Sequence, residues 1–129
     1  MAFPQLTLIV VDGTFAICRL GSDASIPSWA TAGDLFSITR TAEELSIVCR
    51  QDAVPDGIQC EPGWRCLRVA GTMPFSVVGV LASLTAPLAD ARISVFAIST
   101  FDTDYLLVKE DDFAKAIAAL QQAGHSITK

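Results

Sequence analysis

One stretch limits the fold of this 129-residue chain more than any other: ISVFAISTFDTDYLLVKE at positions 93–110. Two apolar segments rich in β-branched residues flank a short run of small polar and acidic residues, a pattern typical of a β-hairpin whose turn has a function. The apolar faces of both strands need cover, and helix-like segments before and after them can supply it. We therefore predict that the second half of the chain is organised around this hairpin, with Asp102 and Asp104 in its turn.

Composition predicts a folded protein and excludes several kinds of partner. The chain is 51% hydrophobic and 18% charged, which is ample for a buried core. Its net charge of -5 argues against a nucleic-acid surface, because phosphate binding needs clustered Lys and Arg. The N-terminal apolar run 6–11 is far shorter than the roughly 20 residues that span a bilayer. We therefore expect a cytoplasmic protein with no nucleic-acid or membrane partner.

Motifs for metal, cofactor and catalysis are missing from the sequence. The four cysteines contain no Cys-x-x-Cys pair and the single histidine is His125, so we expect free thiols and no metal site. The chain has no phosphate loop, no Gly-x-Gly-x-x-Gly after a strand and no Gly-x-Ser-x-Gly nucleophile elbow. The sequence therefore predicts no cofactor, no catalytic residue and no enzyme activity.

The first half predicts strands and one short helix. The dipeptide Asp12-Gly13 favours a tight type I′ turn, which would fold residues 6–20 into a hairpin. A short helix follows, starting at Ser25-Ile26-Pro27 and ending at Gly33. The remaining segments are a strand, a returning strand and a surface crossing, at 35–40, 45–50 and 51–63 respectively.

The second half predicts a strand at 64–70, two helices and a closing strand at 125–128. Apolar residues at helical spacing mark one face of the first helix: Val77, Leu81, Leu84 and Leu88. Pro87 lies inside this helix and should remove the hydrogen bond to Ser83, bending the helix or ending it early. The second helix begins at Asp111 or Asp112, and Gly124 suits its left-handed end.

The two halves match weakly when they are aligned with an offset of 60 residues. Strand, helix, strand, acidic turn and strand then occur in the same order twice, although few positions agree. We therefore predict two tandem units, at 1–62 and 63–129. Each unit is too small to bury much alone, so we expect their sheets to pair side by side.

The acidic turn allows three interpretations. Asp102 and Asp104 could act as general acid and base, or they could form local turn hydrogen bonds. In the third interpretation, the hydroxyls and carboxylates of the turn bind the amino group of a small ligand. A helix start near the loop 71–79 would then offer free N–H groups to the ligand's carboxylate. An amino acid carries both charges.

The segment from Ser76 to Gly124 resembles the C-terminal repeat of small tandem ACT-domain proteins. The resemblance rests on Gly79, on ISVFAIST and most specifically on the string STFDTD. It covers residues 64–124 well and 6–50 only in outline. It implies an α+β fold of tandem ferredoxin-like ACT units of the βαββαβ type, with antiparallel sheets covered by helices on one face.

The resemblance also implies a function and a site. ACT units are non-enzymatic regulatory modules that bind a small molecule, commonly an amino acid, at an interface between units, and we expect a homodimer. The implied ligand-binding residues lie in a first loop and in the turn: Phe75, Ser76, Val78, Gly79, Thr100, Phe101, Asp102 and Asp104. Two positions depart from the family pattern, Pro74 in place of an acidic residue and Arg92 in place of glycine. The alternative is a protein–protein interaction or assembly module without a small-molecule ligand.

Overall fold

The computed structural model of the chain describes residues 4–72, 74 and 77–129, and it has the α+β fold with antiparallel strand pairs that the sequence predicts. Within these described residues the strands are β1 Thr7–Leu20, β2 Ser37–Arg40, β3 Leu45–Arg50, β4 Cys60–Val69, β5 Phe96–Ser99, β6 Asp104–Lys109 and β7 Ser126–Thr128. The α-helices are α1 Val80–Asp90 and α2 Phe113–Gln122, and 3-10 turns cover Ser28–Thr31, Gln51–Ala53 and Glu110–Asp112. The chain divides into two compact units, Gly13–Trp64 and the remainder.

The unit at Gly13–Trp64 is built from strands and 3-10 turns. Its strands lie in the order β2, β3, β1, β4, and β3 pairs antiparallel with both β2 and β1. Its buried core comprises Ala16, Cys18, Ala30, Leu45, Ile47 and Cys49. The predicted helix after Ser25 is only a 3-10 turn, because too few residues separate Pro27 from the extended Ala32 for consecutive α-helical hydrogen bonds.

The predicted hairpin at Asp12-Gly13 is wrong. β1 runs without interruption through both residues, and its second half pairs with β3 from Phe15↔Arg50 to Leu20↔Leu45. Gly13 keeps a positive φ of 98°, a conformation typical of a bulge inside a strand. A Cβ there would lie 2.9 Å from the guanidinium carbon of Arg50, so glycine also makes room for that side chain. The pairing of β1 with β3 overrides the local preference for a turn.

The second unit follows the βαββαβ order in β4, α1, β5, β6, α2 and β7. Its strands lie in the order β7, β1, β4, β6, β5, with β7 parallel to the start of β1. Both helices pack on a common apolar core: Leu8, Leu67, Val69, Leu84, Leu88, Ile93, Leu106, Val108, Ala116 and Leu120. The predicted apolar stripe of α1 is therefore buried at Leu84 and Leu88. The helix begins at Val80, three residues later than the stripe predicts.

Pro87 stands inside α1, and a histidine ring compensates for the hydrogen bond that it removes. The helix continues past Pro87 to Asp90, although proline has no N–H to donate to the carbonyl of Ser83. His125 Nε2 lies 2.9 Å from that carbonyl oxygen, and His125 Nδ1 accepts a hydrogen bond from the Leu6 N–H at 3.0 Å. Because Nδ1 is an acceptor, the neutral ring carries its proton on Nε2 and donates it to Ser83. One buried imidazole thus satisfies two backbone groups.

Both helices end with a residue in the left-handed conformation. Gly124 (φ 101°) follows α2, and the next N–H, from His125, donates to the Leu120 carbonyl at 3.1 Å. Arg92 (φ 61°) takes the same role after α1, where the Ile93 N–H donates to the Leu88 carbonyl at 2.9 Å. These are the long hydrogen bonds of the Schellman motif. Arg92 is the one non-glycine residue with positive φ in the ranges described.

We expect His125→Leu to lower the free energy of unfolding by about 3 kcal/mol, because it leaves two buried backbone groups without partners. Chemical denaturation monitored by circular dichroism measures the change. Ser126→Ala, at the exposed neighbouring position, should stay within about 0.5 kcal/mol of the parent.

A second substitution tests the role of Pro87. Pro87→Ala returns an N–H to the position that faces the Ser83 carbonyl, so it should recover part of the loss in the His125→Leu background. Purely additive effects in this double-mutant cycle would contradict the proposed compensation between the histidine and the proline.

Arg92→Gly should raise the free energy of unfolding by about 1 kcal/mol, because glycine has no steric cost in the left-handed region. Gly124→Ala should have the opposite sign, since its Cβ would lie 2.5 Å from Gln5 Nε2 in addition to the unfavourable φ. Denaturant titration of both variants measures the pair. A loss of stability in Arg92→Gly would show that the arginine side chain makes a contribution that outweighs its backbone strain.

Candidate functional site

The predicted central hairpin forms, and its turn is tightly held. β5 and β6 pair antiparallel up to Ser99↔Asp104. In the turn, the Thr100 N–H donates to the Thr103 carbonyl at 2.8 Å, and the Thr103 N–H donates to Thr100 Oγ1 at 3.2 Å. The buried Thr103 hydroxyl donates to the Val69 carbonyl at 2.8 Å. The turn is thus fixed both internally and to the end of β4.

The start of α1 provides the second wall of the site. Gly79 occupies the N-cap position with φ 84°, and its carbonyl accepts the N–H of Ser83 at 2.8 Å. The N–H groups of the first turn have no acceptor within the helix, and they point along its axis away from the helix body. Together with the helix dipole they favour a negative charge at this end.

A cavity of about 200 Å³ lies between the turn and this helix start. Its lining residues are Pro74, Val77, Val80, Ser99, Thr100, Phe101, Thr103 and Asp104. The volume suits a small metabolite, since pockets for drug-sized ligands begin at roughly 300 Å³. Of the described residues that line the cavity, Asp104 alone carries a charge.

The structure brings part of the predicted residue set together. Thr100, Phe101 and Asp104 line the cavity, and Gly79 directly precedes the lining residue Val80. Val78, 75% exposed, and Asp102, also exposed, lie outside the lining. Phe75 and Ser76 lie outside the described residues.

Ser99 and Thr103 line the cavity without having been predicted. The hairpin register contains the signal for Ser99, because a turn of four residues, 100–103, places Ser99 opposite Asp104. The Ser99 hydroxyl donates to Asp104 Oδ1 at 2.5 Å, which orients the carboxylate. Thr103 acts through its buried hydroxyl, and nothing in the local sequence distinguishes it from Thr100.

The charges of the cavity match a ligand that carries both signs. The Asp104 carboxylate and the hydroxyls offer acceptors to an ammonium or guanidinium group, and the helix start offers donors to a carboxylate. Within residues 4–72, 74 and 77–129, no group of His, Cys, Asp and Glu is arranged to hold a metal ion. No helix in the part of the chain that the structure describes is long and apolar enough to cross a membrane.

The other unit repeats the turn but carries a long, charged side chain at the position equivalent to Ser99. β2 and β3 begin at 37 and 45, β5 and β6 at 96 and 104, so the spacing is 59 residues (96 − 37) and the predicted offset of 60 misaligns these hairpins by one. Thr41 and Glu44 make the same backbone bond as Thr100 and Thr103. Arg40 stands where Ser99 stands, and its guanidinium donates to the carbonyls of Ser22 and Ala24 in the loop after β1.

Comparison with known proteins gives matches along most of the chain. A family model for the ACT domain matches residues 59–122, and a second model, of an N-terminal domain, matches residues 13–57. A solved structure of a protein from Agrobacterium tumefaciens is 40% identical with a TM-score of 0.93, covering 98% of this chain and 95% of that one.

One sequence relative and one structural neighbour have names that state a role. The cytosolic arginine sensor for mTORC1 subunit 1 of Homo sapiens is 42% identical over 60 residues, 46% of this chain, and the match spans 18% of that relative's length. The regulatory subunit of aspartate kinase from Thermus flavus has a TM-score of 0.61 at 14% identity, covering 95% of this chain and 99% of that one. At that identity the likeness concerns the fold alone.

Thr103→Val should lower the free energy of unfolding by about 1 to 2 kcal/mol, because the substitution leaves the buried Val69 carbonyl without this donor while keeping the side-chain shape. Ser126→Val, a hydroxyl loss on an exposed strand position, is the matched control and should change little. Equal effects of the two substitutions in thermal denaturation would contradict a structural role for the Thr103 hydroxyl.

Proposed function

The chain belongs to the ACT-domain family, as its sequence predicts, and on this premise we propose that it is a cytoplasmic, non-enzymatic regulatory module that binds an amino acid. The observation that carries the proposal is the cavity between Asp104 and the start of α1. A carboxylate on one wall and helix N–H groups on the other complement the two charges of an α-amino acid.

Arginine is the first ligand to test. One relative is named as a cytosolic arginine sensor, and its match covers about half of this chain. In the other unit, Arg40 places a guanidinium beside the equivalent turn and donates to loop carbonyls, which supports the fit of this group at such a position. In the cavity, Ser99 is short and Asp104 supplies the counter-charge that a ligand guanidinium needs.

We propose that a second ACT unit completes the site in a homodimer. Two large apolar side chains close to the cavity are exposed to solvent, Phe101 by 79% and Val78 by 75%. Exposed apolar residues beside a small polar cavity are typical of a surface that a partner covers. Burial of these residues by a second copy would also exclude water from the bound charges and strengthen their pairing with the protein.

The proposal also includes the tandem organisation, with both compact units of ACT type. The shared order of strands and the shared turn geometry at a spacing of 59 residues support it. An assembly module without a small-molecule ligand remains the second candidate, and the same exposed residues, Val78 and Phe101, favour it.

A thermal-shift titration with each common amino acid tests ligand binding. A ligand at 100 times its dissociation constant should raise the free energy of unfolding by about 2.7 kcal/mol. Asp104→Asn should abolish most of the shift, whereas Asp102→Asn, at the exposed tip of the same turn, should retain it. Citrulline is the matched control for arginine, since it keeps the shape and lacks the charge.

The outcomes separate the candidates. A response to no amino acid, together with dimerisation that Phe101→Ser abolishes, would contradict sensing and favour the assembly module. A response that Asp102→Asn removes and Asp104→Asn preserves would contradict the proposed site.

A further inference from the structure

Three cysteine thiols lie close together in the unit at Gly13–Trp64, which does not contain the proposed ligand site. Cys18 lies in β1, Cys49 in β3 and Cys60 at the start of β4, and all are free thiols. Cys18 and Cys49 are buried, and Cys60 is half-buried. Cys18 and Cys49 belong to one buried core, and Cys60 packs against it. Cys18 is therefore the centre of the cluster and Cys60 is its solvent-facing member.

The strand pairing selects Cys18 and Cys60 as the pair able to form a bond. The Arg19 N–H, near the end of β1, donates to the Gln59 carbonyl, just before β4, at 3.0 Å. The Ala70 N–H, just after β4, donates to the Thr7 carbonyl at the start of β1 at 2.8 Å, so the two strands are antiparallel. Cys18 then faces Cys60 in a non-hydrogen-bonded pair, where Cα atoms lie about 4.5 Å apart. A disulfide requires about 4.4 to 6.8 Å. Cys49 faces Ala16 and so lies diagonal to Cys18, at about 7 to 8 Å.

Cys60 is the point of access to the pair. It is half-buried, whereas Cys18 is 1% exposed. Its neighbours Gln59 and Glu61 are exposed, so this end of β4 meets solvent. A small reagent can therefore reach Cys60 before Cys18.

We propose that Cys18 and Cys60 form a thiol–disulfide exchange site that takes a small-molecule disulfide and closes a reversible bond between these two cysteines. The Cys60 thiolate attacks one sulfur of the small disulfide, whose S–S bond breaks, and the first small thiolate leaves. The Cys18 thiolate then attacks the Cys60 sulfur of the mixed disulfide, and the second small thiolate leaves. The two cysteine protons pass through solvent to the departing thiolates, and two electrons pass from the cysteine pair to the small disulfide.

Burial of Cys18 slows formation of the disulfide, and the disulfide in turn should stabilise the unit. Burial and the neighbouring thiols raise the pKa of Cys18 to about 12, so the second step is slow at neutral pH and accelerates as the pH rises. The covalent loop from Cys18 to Cys60 encloses β2 and β3, which is most of this unit. Closing it restricts the unfolded chain, so oxidation should stabilise the unit.

Oxidised glutathione at mildly alkaline pH is the probe. After denaturation and alkylation, mass spectrometry should count four alkylated thiols in the untreated protein and two in the treated one. A non-reducing digest of the treated parent protein should contain the Cys18–Cys60 cross-linked peptide, and this measurement needs no variant. Dithiothreitol should restore all four thiols, and oxidation should raise the denaturant midpoint.

Alanine variants assign the steps. Cys49→Ala and the control Cys66→Ala should still form the bond, whereas Cys18→Ala should stop at a glutathione adduct on Cys60. Loss of two thiols in Cys60→Ala, a Cys18–Cys49 peptide in the parent, or four unmodified thiols after treatment would each overturn the proposal. So would a parent protein that accumulates glutathione adducts without closing the bond.

Discussion

The unit that contains both α-helices depends on one buried imidazole, that of His125. His125 accepts the N–H of Leu6 and donates to the carbonyl of Ser83, so it joins the backbone before β1 to the middle of α1. Without it, the carbonyl that Pro87 leaves unpaired would be buried at a cost of about 1 to 3 kcal/mol. The ring thereby makes a proline compatible with the centre of a helix, and it fixes the position of the helix whose first turn borders the cavity beside Asp104.

The cavity forms where two local features meet, the turn after β5 and the start of α1. The turn after β5 is closed by the Thr100 side chain and backbone, and Thr103 anchors it to β4. The left-handed Gly79 starts α1 abruptly, so the first N–H groups of the helix face the turn side of the unit. Neither feature is a strong binding group by itself. Together they place the Asp104 carboxylate at one side of the cavity and the partial positive charge of the helix start at the other.

Sequence reasoning succeeded where local signals and packing agreed. The hairpin at 93–110 and the strand Leu45–Arg50 have local determinants, and the structure contains both. Asp12-Gly13 is an equally strong local signal for a turn. No turn forms there, because β1 continues through both residues and its second half pairs with β3. Pro87 was expected to free the Ser83 carbonyl, but the donor that replaces it is 42 residues away, beyond any local pattern.

The same limit applies to the candidate site. The acidic turn was visible as the string FDTD, but side-chain direction along a hairpin depends on register, and register here selects Asp104 with Ser99 rather than Asp102. The left-handed Arg92, by contrast, agrees with the family resemblance, in which glycine usually occupies this position. Arg40 replaces Ser99 in the repeated turn, and its guanidinium donates to two loop carbonyls of its own unit. A long side chain tied to the backbone thus stands at one copy of the turn, whereas the short Ser99 at the other copy leaves Asp104 beside an open cavity.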